Sequence, residues 1–167
     1  MAGSNGVPQA NGKANDLPDS RSPALQLTHP TEAEKLRQLT LNGESWRGAL
    51  TLEAYLRREV HLASQEATHN GGISFWALVD KPDIETRRVL CACETYRKRA
   101  VVAYNGTVTV SMVHGIGSVF CPPDLRGRGY AGRLMEMLGE RLGNWQAEEG
   151  CPFSVLFSDI GKVSLRA

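Results

Sequence analysis

Apolar residues near the start of the chain recur at helical spacing and predict two helices. Thr31, with Glu34 three residues later, has the pattern of a capping box, and apolar side chains at helical spacing follow it. Asn42-Gly43 is expected to end this first helix. A second helix is predicted from Thr51, because the apolar residues after it again lie three and four positions apart.

The middle of the chain changes from helical spacing to the short apolar runs of β-strands. Asn105-Gly106, between two alternating segments, is a strong signal for a tight hairpin turn. The prolines at 122 and 123 must end the strand before them, because proline lacks the N–H that a sheet needs. The predicted strands, with a short first one ahead of the helices, cover residues 25–27, 73–79, 89–96, 101–104, 107–110 and 116–120.

A Gly-rich segment and an amphipathic helix come next. Residues 124–132 are Asp-Leu-Arg-Gly-Arg-Gly-Tyr-Ala-Gly, and apolar residues then recur at helical spacing from Ala131 to Trp145. A final apolar run at 153–158 predicts a buried strand. This order of elements is typical of a mixed α/β domain whose last strand runs parallel to the strand ending at Phe120.

Composition and charge narrow the classes of partner. The chain has 167 residues and a formal net charge of +1, which disfavours nucleic acids and anionic membranes. Residues 1–24 are rich in Gly, Pro and polar residues, so we expect a disordered tail followed by one domain at 25–167. We see neither a secretory signal nor an apolar run of the roughly 18–20 residues that cross a membrane, and we expect a cytoplasmic location.

The Gly-rich turn has the features of a phosphate-binding site. Its glycines let the backbone bend tightly between a strand and a helix, and the first amides of that helix have no partners within it. Its arginines add positive charge beside the positive end of the helix dipole. The glycines are Gly127, Gly129 and Gly132, and the arginines are Arg126, Arg128 and Arg133.

Two other phosphate-binding patterns fit this turn less well. The P-loop needs Lys and a hydroxyl residue where Arg133-Leu134 stands. Gly-x-Gly-x-x-Gly at 127–132 matches the dinucleotide fingerprint literally, which leaves an NAD(P)-dependent oxidoreductase as an alternative. However, residues 121–126 separate the fingerprint from the strand that it should follow directly.

The cysteines are better interpreted as buried thiols than as metal ligands. Cys91 and Cys93 lie two apart in a predicted strand and therefore share one of its faces. A metal site that uses both together with His114 is the alternative. Reduced, buried thiols are the simpler interpretation in a cytosolic chain, so we predict no metal.

The segment from Val119 to Gly132 resembles motif A of the GNAT acyltransferases. That motif has Arg or Gln, two residues, Gly, one residue, then Gly or Ala, and Arg126-x-x-Gly129-x-Ala131 fits it. The stretches at 93–97, 118–123 and 153–162 are also similar to the fungal lysine N-acetyltransferases of lysine catabolism. The resemblance thus extends from about residue 25 to residue 162.

This resemblance implies a GNAT-like central mixed sheet, with two N-terminal helices and a further helix after the Gly-rich turn. It also implies an N-acetyltransferase that takes acetyl from acetyl-CoA. The acceptor would be an amine, either a small molecule such as lysine or the side chain of a protein lysine. The residues that match the family's cofactor contacts are Val119, Phe120, Cys121, Arg126, Gly127, Arg128, Gly129, Tyr130, Ala131 and Gly132.

The sequence indicates the general base less clearly than the cofactor contacts. A lysine amine has a pKa of about 10.4, so making it neutral at pH 7 costs roughly 4–5 kcal/mol and calls for a proton acceptor. His114, just before a predicted strand, is the first candidate. Glu94, a carboxylate on an otherwise apolar strand face, is the second.

The sequence departs from this family at its C-terminal end. The resemblance implies a helix after the strand at 153–158, with a tyrosine that protonates the leaving thiolate, whereas the last tyrosine here is Tyr130. We therefore expect a C-terminally truncated domain that lacks the last strands and exposes a sheet edge through which copies associate. A non-catalytic CoA-binding protein is the corresponding alternative function.

Overall fold

The centre of the computed structural model, which describes residues 16–147 and 151–156, is a five-stranded sheet whose strands lie in chain order. The strands are β1 (Gln26–Thr28), β2 (Ile73–Val79), β3 (Val89–Tyr104), β4 (Thr107–Phe120) and β5 (Ser154–Leu156). All neighbouring strands are antiparallel except β4 and β5, which are parallel. The predicted mixed α/β fold and the parallel pairing of the last strand are therefore confirmed.

In the described part of the chain, three α-helices accompany the sheet, and the first begins at the predicted capping box. The helices are α1 (Glu32–Trp46), α2 (Leu52–Ala63) and α3 (Tyr130–Leu142). The Glu34 N–H donates to Thr31 Oγ1 at 3.2 Å, and the Thr31 N–H donates to Glu34 Oε2 at 2.7 Å. Thr51 is the N-cap of α2, as its position in the sequence predicts.

The predicted end of the first helix at Asn42-Gly43 is wrong, because α1 continues to Trp46. Gly43 lies inside the helix for a packing reason. A Cβ at this position would meet Leu52 Cδ1 at 2.8 Å and Tyr55 Cδ1 at 2.9 Å. The missing side chain thus lets α2 approach α1 closely, and this contact outweighs the low helix propensity of glycine.

The strands after residue 88 are longer than the sequence pattern predicts. The segments at 89–96 and 101–104 form one strand, β3, and those at 107–110 and 116–120 belong to β4. The two strands are paired from Ala92 opposite Phe120 to Tyr104 opposite Thr107. The predicted turn is confirmed: Asn105 has φ of 48° and Gly106 has φ of 75°, the left-handed pair that a tight hairpin requires.

A β-bulge interrupts β4 shortly before its end. The register shifts between Ala92 opposite Phe120 and Glu94 opposite Gly117. Ser118, inside the shift, has φ of 51°, a left-handed conformation that is uncommon for a residue other than glycine. Bulges of this kind bend a strand and redirect its side chains, and they are frequent beside active sites.

The two faces of the sheet have different partners. One face packs on α3, and the core there is formed by Trp76, Leu78, Cys91, Cys93, Ile116, Leu134, Leu138 and Leu142. The other face looks toward α1 and α2, where Leu39, Phe75, Ala92, Glu94 and Ser118 line one cavity. The sheet therefore separates an apolar core from a partly polar cavity.

Residues 16–24, which the sequence assigns to the tail at 1–24, contact the rest of the structure. Leu17 packs against the core beneath α3. The Tyr130 hydroxyl donates to Pro18 O at 2.6 Å, and Arg88 Nη2 donates to Asp16 O at 3.1 Å. These contacts hold the segment against the start of α3.

Parts of two predictions lie outside the described residues, namely residues 1–15 of the tail and residues 157–158 of the last strand. In the part of the chain that the structure describes, no helix has the length and apolar character needed to cross a membrane.

Candidate active site

The Gly-rich turn links β4 to α3 through a short 3-10 helix. This 3-10 helix spans Pro123–Leu125 and is followed by Arg126 in an extended conformation. Gly127 and Gly129 have φ of 75° and 81°, so both occupy the left-handed region that favours glycine. The turn has the tight bend that the sequence predicts, and Gly129 is the N-cap residue of α3.

The start of α3 presents backbone amides that the helix itself does not use. The first hydrogen bond of the helix runs from the Arg133 N–H to Gly129 O at 3.0 Å. The amides of Tyr130, Ala131 and Gly132 therefore have no carbonyl one turn earlier to bond. Together with the positive end of the helix dipole, they form the type of site that binds phosphate groups.

The arginines of the turn differ in their availability. Arg128 is exposed. Arg126 is held beside the end of β4, because its Nε donates to Cys121 O at 3.0 Å and its guanidinium lies 5.4 Å from the centre of the Phe120 ring. Arg133 Nη1 pairs with Glu136 at 2.7 Å. Arg126 and Arg128 are thus the better placed cations for an anionic ligand.

The strand residues ahead of the turn divide between the two faces of the sheet because of the bulge. Val119 and Cys121 pack beside the α3 core. Phe120 is on the other face, where its ring meets the Trp46 ring edge to face with centroids 5.3 Å apart. These residues and the turn form one continuous stretch of chain that leads from the sheet to the free amides of α3.

Glu94 is buried beside this bulge. Its side chain is only 6% exposed, and its Oε2 accepts hydrogen bonds from the Tyr96 hydroxyl at 2.6 Å and from Ser118 Oγ at 3.2 Å. Burial raises the pKa of Glu94, and these two hydrogen bonds act against that rise. Because both donors bind Oε2, Oε1 is the oxygen available to another partner.

Glu94 also lines an open cleft of about 250 Å³ between the sheet and the first two helices, which we call the acidic cleft. Its lining carries three carboxylates and one ammonium group, and these are Glu32, Glu59, Glu94 and Lys35. Lys35 is engaged, since its Nζ lies 3.5 Å from Glu32 Oε2 and 4.4 Å from the centre of the Phe75 ring. Glu59 is paired with Arg58 at 2.7 Å, so Glu94 is the carboxylate of this lining without a cationic partner among the described residues, which favours a cationic occupant.

His114 is on the opposite face of the sheet from Glu94. It is fully buried and lies opposite Arg97 in the register of β3 and β4. Its Nε2 is 2.8 Å from Trp145 O, and since a carbonyl only accepts, Nε2 carries the hydrogen. His114 Nδ1 is buried without a hydrogen-bond partner among the described residues. The structure therefore does not bring the two candidate bases together.

The N-terminal segment covers one side of the Gly-rich turn, a contact that no pattern in the sequence predicts. A Cβ on Gly129 would meet Ser20 Oγ at 2.8 Å and Ser20 Cβ at 3.2 Å. A Cβ on Gly127 would meet nothing within 4 Å. The turn is thus backed by Ser20 at Gly129 and open at Gly127.

The alternative metal site is not assembled in the described residues. Cys91 and Cys93 are both buried on the α3 face, and within residues 16–147 and 151–156 no group of three metal-ligating side chains comes together.

Comparison with solved structures identifies the class of fold. The chain superposes on a putative acetyl transferase from Pyrococcus furiosus with a TM-score of 0.57 and 18% identity, covering 83% of this chain and 85% of that one. It also superposes on an acetyltransferase from Trypanosoma brucei (TM-score 0.54, 20% identity, 86% and 93% covered). A predicted acetyltransferase from Clostridium acetobutylicum, solved with acetyl-CoA, gives 0.53 at 10% identity, with 80% of each chain covered. The chain has the GNAT acetyltransferase fold.

Sequence comparison finds similarity to two curated proteins. The chain is 27% identical over 135 residues to a lysine acetyltransferase of Yarrowia lipolytica, covering 80% of this chain and 31% of that protein. The chain spans 31% and 30% of the lengths of the two curated relatives that it matches. No protein-family model matches the chain. The resemblance to GNAT N-acetyltransferases seen in the motifs is confirmed.

Proposed function

We propose that the protein is an acetyl-CoA-dependent N-acetyltransferase whose acceptor is a cationic amine, in the first instance a lysine side-chain amine. The observation that carries this proposal is the bulge in β4. Ser118, at the bulge, donates to Glu94 in the acidic cleft, and the same strand continues through Val119–Cys121 into the Gly-rich turn. The bulge thus joins an amine-binding cleft to a phosphate-binding turn.

The turn fits the phosphate end of acetyl-CoA. The amides of Tyr130, Ala131 and Gly132 are free of helical partners, and the space beside Gly127 is open. Arg126 and Arg128 supply positive charge close to these amides. The proposed contacts for the pantetheine arm of acetyl-CoA are Val119, Phe120 and Cys121. The cofactor supplies the acetyl group as a thioester.

Glu94 is the proposed proton acceptor for the amine. An ammonium group gives up its proton to a carboxylate at a cost of about 1.4 kcal/mol per unit of pKa difference, so a raised pKa makes Glu94 a better acceptor. Tyr96 and Ser118 fix Oε2 and leave Oε1 to take the proton. We assign this role to Glu94 in preference to His114, because His114 is buried on the other face of the sheet.

The lysine acceptor is supported by two observations. In the acidic cleft, Glu32 and Glu59 are paired with Lys35 and Arg58, which leaves Glu94 to receive a cationic side chain. The relative from Yarrowia lipolytica is a lysine acetyltransferase, which gives lysine priority over other amines.

Binding and turnover assays on the full chain test this function. We expect acetyl-CoA, but not NADH, to raise the melting temperature, and lysine to release the CoA thiol. Norleucine, which has the same chain without the ε-amine, is the matched control and should release none above background. Protection by acetyl-CoA without lysine-dependent release would favour a non-catalytic CoA-binding protein, and protection by NADH alone would refute the proposed cofactor.

A further inference from the structure

Cys91 and Cys121 lie on neighbouring segments where β3 begins and β4 ends. Ala92 lies opposite Phe120, so one further step along the antiparallel register places Cys91 opposite Cys121. Opposite residues in such strands have Cα atoms about 4.5–5.5 Å apart. A disulfide needs Cα atoms about 4.4–6.8 Å apart, a range that includes the usual spacing of opposite residues.

The two thiols belong to the same core region and have different environments. Cys91 is fully buried, whereas Cys121 is partly exposed. The neighbouring Cys91 side chain lowers the pKa of Cys121, while the neighbouring Cys121 side chain and burial raise the pKa of Cys91. The charge of Arg126 lowers the pKa of Cys121 further. In the thiol form, Cys121 Sγ itself donates to Leu90 O at 3.3 Å.

This asymmetry is typical of a reactive pair. A partly exposed thiol with a lowered pKa beside an arginine is the one that meets and attacks a solute. A buried thiol beside it is placed to complete the reaction. Cys121 would therefore react first and Cys91 second.

We propose that Cys91 and Cys121 form a reversible disulfide when the protein meets hydrogen peroxide. The Cys121 thiolate attacks one oxygen and breaks the O–O bond, which gives a sulfenic acid on Cys121 and a hydroxide that is protonated to water. The Cys91 sulfur then displaces the hydroxyl from the Cys121 sulfur, and a second water leaves as the S–S bond forms. Two thiols lose two electrons and one peroxide becomes two waters.

Cys93 provides a matched control on the same strand and the same face. It lies between the pairs Ala92–Phe120 and Glu94–Gly117, where the bulge shifts the register. Burial raises the pKa of Cys93 to about 12, so it is a poor nucleophile. Replacing it should leave the reaction of the other two cysteines unchanged.

Peptide mapping of the full chain tests the proposal. After brief peroxide treatment and alkylation of the remaining thiols, trypsin should yield residues 89–97 linked to residues 100–126. A thiol reductant added after the peroxide and before the alkylation should abolish the link. Cys93→Ser should retain the link, while Cys91→Ser should lose it. Cys121→Ser, at the partly exposed position, gives the same test if the change at the buried Cys91 prevents folding.

Several results would overturn the disulfide. These are full alkylation of all four cysteines after peroxide, a link that persists in Cys91→Ser or Cys121→Ser, or a link that involves Cys151. A separate measurement connects the cysteine pair to acetyl-CoA binding. This measurement, unlike the disulfide itself, rests on the proposed function. Acetyl-CoA at ten times its Kd should slow the oxidation about tenfold by occupying the protein beside Cys121. A disulfide that forms at the same rate with acetyl-CoA would leave the pair established and refute Cys121 as a cofactor contact.

Discussion

Gly127 and Gly129 allow a controlled test of how the Gly-rich turn is held. Both glycines have left-handed backbones, with φ of 75° and 81°. They differ in their surroundings, because a Cβ at 127 would meet nothing within 4 Å while a Cβ at 129 would meet Ser20 Oγ at 2.8 Å. Gly127→Ala therefore measures backbone strain alone, and Gly129→Ala measures strain together with a steric clash.

The expected magnitudes follow from these two contributions. A left-handed conformation costs an alanine about 1–2 kcal/mol, so Gly127→Ala should lower the free energy of unfolding by that amount. The clash at 129 should add roughly 1 kcal/mol more, the lower end of the cost of overpacking, because the nearest atom is the end of a side chain, Ser20 Oγ. Ser20→Gly in the Gly129→Ala background should remove this added part.

Urea denaturation measures the free energy of unfolding of four variants: Gly127→Ala, Gly129→Ala, Ser20→Gly and the double variant Ser20→Gly/Gly129→Ala. The last three give the coupling energy between positions 20 and 129. The contact between Ser20 and the turn would be refuted if Gly129→Ala were no more destabilising than Gly127→Ala. It would also be refuted if Ser20→Gly gave no recovery. Acetyl-CoA titrations of the same four proteins should show weaker binding for Gly127→Ala and Gly129→Ala, because each substitution distorts the backbone next to the free amides.

Three further changes test other parts of the structure. Glu34 pairs with Arg87 at 2.6 Å and has its pKa lowered to about 2, so Glu34→Gln should lose about 1–2 kcal/mol at pH 7, after allowance for solvent screening. That loss should shrink as the pH falls from 4.5 towards 2, because the stability from a lowered carboxyl pKa disappears on protonation; urea melts across pH would show it. Gly43→Ala should cost about 1 kcal/mol by crowding α2, despite the better helix propensity of alanine, and a gain in urea midpoint would contradict this. Tyr96→Phe removes a donor that favours charged Glu94, so the acidic limb of the pH–kcat/KM profile should move to higher pH, and a move to lower pH would contradict that role.

Features with local causes could be predicted from the sequence. The capping box of Thr31 and Glu34, the hairpin turn at Asn105-Gly106 and the bend at Gly127 and Gly129 each depend on residues close together in the chain. Their residue types restrict the backbone directly, through side-chain capping or through tolerance of a left-handed φ. The Gly-rich turn was found for this reason.

Features with distant causes could not be predicted in this way. Gly43 has the appearance of a helix stop, but its role is to admit α2, which a pattern within one helix does not reveal. The bulge at Ser118 depends on its pairing with β3, and apolar alternation gives no sign of it. Ser20 reaches the turn from about a hundred residues away in the sequence.

The relative merit of the two candidate bases also depended on tertiary structure. His114 is the first candidate for the general base from the sequence, yet it is buried on the α3 face of the sheet. Glu94 ranked second, as a carboxylate on an otherwise apolar strand face. In the structure its hydrogen-bond partners are Tyr96 and Ser118, and it lines the acidic cleft.

The pH–rate profile of Glu94→Gln with acetyl-CoA and lysine tests most directly whether Glu94 accepts the proton of the amine. Loss of a general base should lower kcat/KM about 10²–10⁴-fold and remove the acidic limb of the profile, while the Kd for acetyl-CoA stays unchanged. Glu85→Gln, the same change at an exposed loop position, is the matched control and should behave as the unaltered protein. A Glu94→Gln protein with full activity and an unaltered acidic limb would contradict the central claim that Glu94 accepts the proton of the amine.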